Sequence, residues 1–200
     1  MKMMKNIITL PFLFSLFVSI TFNAQKNNTL TPYQEFLNEL SEYRKICRTA
    51  LKPYRYDGSK TTHFSYKEYD YIKEVEIGTV QKSEYRLSFN SNGIKYDQIK
   101  VQIYDKPSKY NSRVLLYEKE GVGGNEFTVD TGPMIDKLKE IKREKGVEEE
   151  IILRLRLKKL YIDYIIPAVD RNIEVDPETG NEVKVVTKGA MVLAIGYSNL

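Results

Sequence analysis

The chain carries one histidine, His63, and one cysteine, Cys47, so any nucleophile–base pair has to be built around these two. Such a pair needs the nucleophile within hydrogen-bond reach of its base and a third group to orient that base. Cys47 lies among apolar residues at helical spacing, where a thiol is buried and inert, so it reads as core filling. Zinc needs three or four protein ligands of the Cys or His type, and neither a metal site nor a cofactor is expected. Glycoside hydrolysis needs two carboxylates at a set separation, one of them desolvated. Of the 27 acidic residues, Asp163, flanked by Ile162 and Tyr164, is the one expected to be partly buried. An ion pair is the favoured account of it. Gly121-Val122-Gly123-Gly124 offers backbone amides but lacks the following helix and Lys-Ser/Thr of a phosphate loop, so it reads as a hairpin turn. Glu148-Glu149-Glu150 lacks the Asp-rich, Gly-centred spacing of a calcium loop. No catalytic residue is assigned.

Two groups of residues point to binding instead. Tyr54, Tyr56, Tyr66, Tyr69 and Tyr71 are dense, and exposed tyrosine rings stack on sugars or dock peptides through an apolar body and a polar tip. Arg154, Arg156 and Lys158 alternate with leucines and, on a strand, would share one face suited to an acidic glycan or a lipid headgroup. For both groups a plainer account competes: alternate tyrosines facing the core, and a solvated charged face balanced by the preceding Glu run.

The elements that must position these residues follow from periodicity. Thr31-Pro32-Tyr33-Gln34 has the order of a helix start, with Thr as cap, Pro in the first turn and Gln three after the cap. Phe36, Leu40, Tyr43, Cys47 and Ala50 then follow on one helical face until Pro53. From Tyr54 the period becomes two. Phe64 and Tyr66, Val75 and Ile77, Tyr85 to Phe89, Ile99 to Ile103, Val114 to Tyr117 and Phe127 to Val129 predict strands with one buried face. Turn-like sequences separate them at 90–93, 105–108 and 121–125. Gly132-Pro133 introduces a short helical insertion at about 133–146. Leu153 to Lys158 alternates strictly and predicts a strand, with a bulge near Lys158-Lys159 before Leu160, Ile162, Tyr164 and Ile166. A single helix from Met134 to about Leu160 is the competing reading. Ile173 and Val175 lead through Asp176-Pro177-Glu178-Thr179-Gly180-Asn181 to Val183 and Val185, a hairpin. Ala190 to Tyr197 reads as a central strand covered on both faces. With 15 Tyr, 8 Phe and no Trp, the fold class is mostly β: an antiparallel, jelly-roll-like β-sandwich with an N-terminal amphipathic helix and a helical insertion.

The N-terminus predicts an address. Lys2 and Lys5 precede the apolar run Ile7 to Ile20, which is too short and too interrupted for a spanning helix and has the form of a signal peptide. The expected organisation is a signal peptide at 1–25, a polar leader and helix at 26–53, and the β-domain at 54–200. The only cysteine is far from the end of the apolar run, so a lipid anchor is not expected; a periplasmic location is, with a secreted or surface-associated one as the alternative. Without Lys2 and Lys5 the chain has 29 basic against 27 acidic residues, too even a balance to predict nucleic-acid binding. A lone cysteine forms no internal disulfide, so packing must hold the domain.

The order Tyr85-Arg86-Leu87-Ser88-Phe89, Ile99 to Ile103 with Tyr104-Asp105, Phe127-Thr128-Val129 and Leu160-Tyr161-Ile162 resembles bacterial pre-peptidase C-terminal-type and related jelly-roll accessory domains, over about residues 74–197. The leader ending in Asn23-Ala24-Gln25 is similar to those of small exported proteins of the Bacteroidota. The resemblance implies a non-enzymatic accessory role in the cell envelope, with an envelope protein or a surface glycan as partner. A carbohydrate-binding module using the tyrosines is the second reading and an envelope hydrolase the third.

Overall fold

A computed structural model of the chain describes residues 30–80, 83–94, 98–170, 172–176, 179–185 and 187–199, without the side chains of 172–175 and 183–185. The expected signal peptide lies outside the described residues.

Helix α1 spans Pro32–Ala50. Its first turn is closed reciprocally: the Gln34 amide donates to Thr31 Oγ1 at 3.3 Å, and the Thr31 amide donates to Gln34 Oε1 at 2.9 Å, which satisfies two otherwise orphaned donors. The strands are β1 (Arg55–Ser65), β2 (Tyr71–Gly78), β3 (Ser83–Asn90), β4 (Lys100–Tyr104), β5 (Leu115–Lys119) and β6 (Glu126–Asp130). Helices α2 (Thr131–Glu144) and α3 (Glu149–Leu153) follow, then β7 (Lys159–Ile166), β8 (Asn172–Val175), β9 (Glu182–Val185) and β10 (Lys188–Asn199).

Eight of these strands form two four-stranded antiparallel sheets, ordered β1-β10-β3-β6 and β2-β7-β4-β5, while β8 and β9 pair as a separate hairpin. The arrangement is sandwich-like because one apolar core is drawn from both sheets. Tyr85, Leu87 and Phe89 of β3 and Met191, Leu193 and Ile195 of β10 meet Val101 and Ile103 of β4 and Leu160, Ile162, Tyr164 and Ile166 of β7. Alternate residues of each strand supply this core, as the pleat requires. Among the eight strands of the two larger sheets, consecutive ones mostly cross between the sheets, and only β4 and β5 are joined as neighbours in one sheet.

The alternation at Leu153 to Lys158 does not make a strand. Glu149–Leu153 is helical, 154–157 is turn and irregular backbone, and β7 begins at Lys159. The physical reason lies in the flanks. Gly146 ends α2 at φ 71°, Glu149 and Glu150 open the next turn where carboxylates suit a helix N-terminus, and only Ile152 of α3 is buried. The leucines therefore have separate environments: Leu153 exposed, Leu155 half-buried, Leu157 buried. Arg154, Arg156 and Lys158 do not share a strand face.

The hairpin β8–β9 pairs Ile173 with Lys184 and Val175 with Glu182. Gly180 sits at φ 69°, and its amide donates to the Asp176 carbonyl at 2.8 Å. Pro177 and Glu178 of that turn lie outside the described residues.

Candidate ligand-binding groove

The first turn of α1, the end of β1 and the starts of β2 and β10 meet around a groove of about 650 Å³. Pro32, Tyr33 and Phe36 come from the helix, His63, Phe64 and Ser65 from β1, and Tyr71 and Lys73 from β2; Lys67, Lys188 and Gly189 complete the lining. The register explains why an aromatic floor forms here. Phe64 pairs directly with Gly189, and a Cβ at position 189 would lie 2.6 Å from the Phe64 ring. Only a residue without a side chain lets that ring lie against β10.

The groove is cationic and aromatic. Phe36 and His63 pack edge to face with centroids 6.3 Å apart. Tyr71 donates its hydroxyl to the Ser65 carbonyl at 2.6 Å, fixing its ring, and Lys67 lies over that ring at 4.6 Å. Burial pushes the Tyr71 hydroxyl above its ordinary pKa. The Lys67 ammonium is raised through its hydrogen bond to the Tyr69 hydroxyl, at 3.0 Å, so it remains charged. Lys73 donates to the His63 carbonyl. The Lys188 ammonium has no hydrogen bond or ion pair among the described residues. The described lining residues include three lysines and no carboxylate, so cations stand beside stacking surfaces, which suits an anion attached to a ring or an apolar body.

The five tyrosines do not form one patch. Tyr69 and Tyr71 are together, centroids 6.4 Å apart, and Tyr71 lines the groove. Tyr66 is buried and packs edge to face on Phe64. Tyr54 lies under the Arg86 guanidinium at 4.5 Å, and Tyr56 under Arg48 at 4.4 Å. Arg154 is paired to Glu150 at 2.6 Å. Arg156 donates to the Leu153 and Leu155 carbonyls at 3.0 and 2.7 Å. Lys158 is exposed.

The chemical candidates are also placed. Cys47 is 1% exposed, and burial pushes its thiol up to about 11, so at neutral pH it is no nucleophile. His63 is exposed at the groove. Asp163 is wholly buried on the outer side of β7 and accepts from Arg113 at 2.6 Å. Its other oxygen has no hydrogen-bond partner among the described residues. Desolvation raises its carboxyl above the ordinary range, against the opposing pull of Arg113. Among the described residues no three His, Cys, Asp or Glu side chains gather as a metal site, and no described helix is long and apolar enough to cross a membrane.

The sequence reading did not single out Tyr33, Lys67, Lys73 or Lys188. Tyr33 lies in the first turn of α1, Lys67 in the β1–β2 connection, Lys73 in β2 and Lys188 at the start of β10, and the strand order brings them together. Among known protein families none matches the chain, and no curated protein matches it.

Proposed function

We propose that the chain is an exported, non-enzymatic accessory protein of the cell envelope that holds an anionic envelope component in the groove between α1 and the β1, β2 and β10 ends. The observation that carries this reading is the lining: three lysines and aromatic rings with no carboxylate among them. Residues 1–25 act as a signal peptide and deliver the chain to the periplasm. The fold is read as a jelly roll similar to pre-peptidase C-terminal-type accessory domains. The strand orders support it, since β1-β10-β3-β6 facing β2-β7-β4-β5 is the order that two interleaved Greek keys produce, with the β8–β9 hairpin inserted in the last crossover.

A surface glycan is the ligand class that the exposed Tyr33 and the fixed Tyr71 favour, and the lysines favour an acidic one. The test is calorimetric titration with an oligogalacturonate and with a neutral malto-oligosaccharide of equal length. The acidic sugar is expected to bind and the neutral one to bind weakly or not at all. The double variant Lys67→Ala/Lys188→Ala is expected to abolish the difference. Equal binding of both sugars, or of neither, overturns the reading.

A further inference from the structure

A second cationic site lies apart from the groove, where α2, the segment after α3 and the start of β7 enclose about 360 Å³. Lys106, Lys142, Arg156, Lys158 and Lys159 line it, with Asp105 the only carboxylate among the described lining residues. Asp105 is engaged, accepting from the Val114 amide at 2.6 Å. Lys159 pairs with Glu76 at 2.6 Å, and Lys106 donates to Ser112 Oγ at 3.0 Å. The ammonium groups of Lys142 and Lys158 have no hydrogen bond or ion pair among the described residues. The guanidinium of Arg156 is held on the Leu153 and Leu155 carbonyls through one nitrogen, which fixes the fork and leaves its other donors free. A fixed guanidinium beside two unpaired ammonium groups suits a phosphoryl group.

The surroundings narrow the source of that phosphoryl group. Arg156 is bound to the backbone of α3, whose Ile151 and Leu153 are 54% and 60% exposed. Two large apolar side chains in water beside a basic pocket form the two-part signature of interfacial binding: apolar groups for the acyl boundary, cations for anionic headgroups. The nearby acids weaken this little. Glu149 is paired to Arg143 at 2.8 Å and Glu150 to Arg154 at 2.6 Å, which leaves Glu148 in that run.

We infer that the Lys142–Arg156–Lys158 pocket, flanked by Ile151 and Leu153, docks on an anionic phospholipid surface and seats a lipid phosphate. The inference stands without the groove and its ligand. The test is co-sedimentation with phosphatidylcholine vesicles, with and without phosphatidylglycerol. Binding is expected only with phosphatidylglycerol, and to weaken with salt. Arg156→Gln/Lys158→Gln should weaken it about thirtyfold, the effect of two surface cations at an anionic membrane. Leu153→Ser, at an exposed position, should also weaken it while leaving the melting temperature unchanged. The groove variant Lys67→Ala/Lys188→Ala should bind vesicles like the parent. Absence of binding to the phosphatidylglycerol vesicles overturns the inference, as does binding that the Arg156/Lys158 and Leu153 variants retain. Binding of inorganic pyrophosphate without vesicle binding overturns it too, because it would point to a free phosphate ligand.

Discussion

One inner strand of each sheet, β10 and β7, is buried on both faces, but their outer faces are covered in opposite ways. Outside β10, helix α1 lays Leu40 and Cys47, with Leu51 just beyond its end, on Ala190, Val192 and Ala194. The two alanines keep the strand surface low, so the helix lies close and the contact is mainly apolar, with the Cys47 thiol donating to the Val192 carbonyl. Outside β7, the cover is the Asp105–Val114 loop. It brings Arg113 to the wholly buried Asp163, stacks that guanidinium 3.7 Å from the Tyr104 ring centre, and ties the Ser108 amide to Glu74 at 2.6 Å. The helix side gains stability from each methylene it removes from water. The loop side depends on two charges staying together, because either one alone would be a buried, unpaired ion. The first kind of cover degrades in steps and the second fails at a single residue.

Arg113→Ala should therefore have the largest effect, a loss of about 3–5 kcal/mol by urea denaturation, from stranding Asp163. The pair Arg113→Met/Asp163→Leu should recover most of that loss. If the double variant is as unstable as the single one, loop packing rather than charge holds that face. Leu40→Ala on the helix side should cost about 2–5 kcal/mol, independent of pH between the titration ranges of its neighbours.

The two covers should also differ in their pH windows. Asp163 has a raised folded value, so its contribution is fully present below the ordinary 3.8 and is lost as pH rises through the raised value. The stability of the parent relative to Asp163→Asn should fall over that acid interval and stay flat above it. Cys47 obeys the same sign at the other end of the scale. Its contribution is present below 9.0 and is lost as pH rises through about 11, so Cys47→Ala should flatten the alkaline limb of the stability curve. The smallest effect belongs to Glu150→Gln. It breaks an ion pair whose side chains are 79% and 74% exposed and should move stability by less than about 0.5 kcal/mol. A larger change would mean that α3 is held by that pair.

Legibility in the sequence followed how each face is covered. Strands with one apolar face, such as Tyr85-Leu87-Phe89 and Val101-Ile103, could be read directly, because period-two burial leaves no other explanation. The near-continuous run of β10 showed that both of its faces are covered. Asp163 stood out as an acid inside an apolar strand, yet nothing near it in sequence named Arg113 as its partner. Leu153 to Lys158 misled because alternation records polarity and not burial, and its three leucines have three different environments. The groove was illegible for a topological reason. Lys67, Lys73 and Lys188 become neighbours only once β10 is paired beside β1, which no local spacing encodes.

That late pairing sets a schedule. In the first sheet β10 lies between β1 and β3, joining Arg55 to Tyr197 and Tyr85 to the same residue from the other side. Until residue 188 and its successors have been made, β1 has no strand partner to join it to β3, and α1 has no alanine surface to rest on. The second sheet has all four of its strands once residue 166 is made, so the two halves of the core are completed at different times and the first sheet, with the helix that rests on it, closes last.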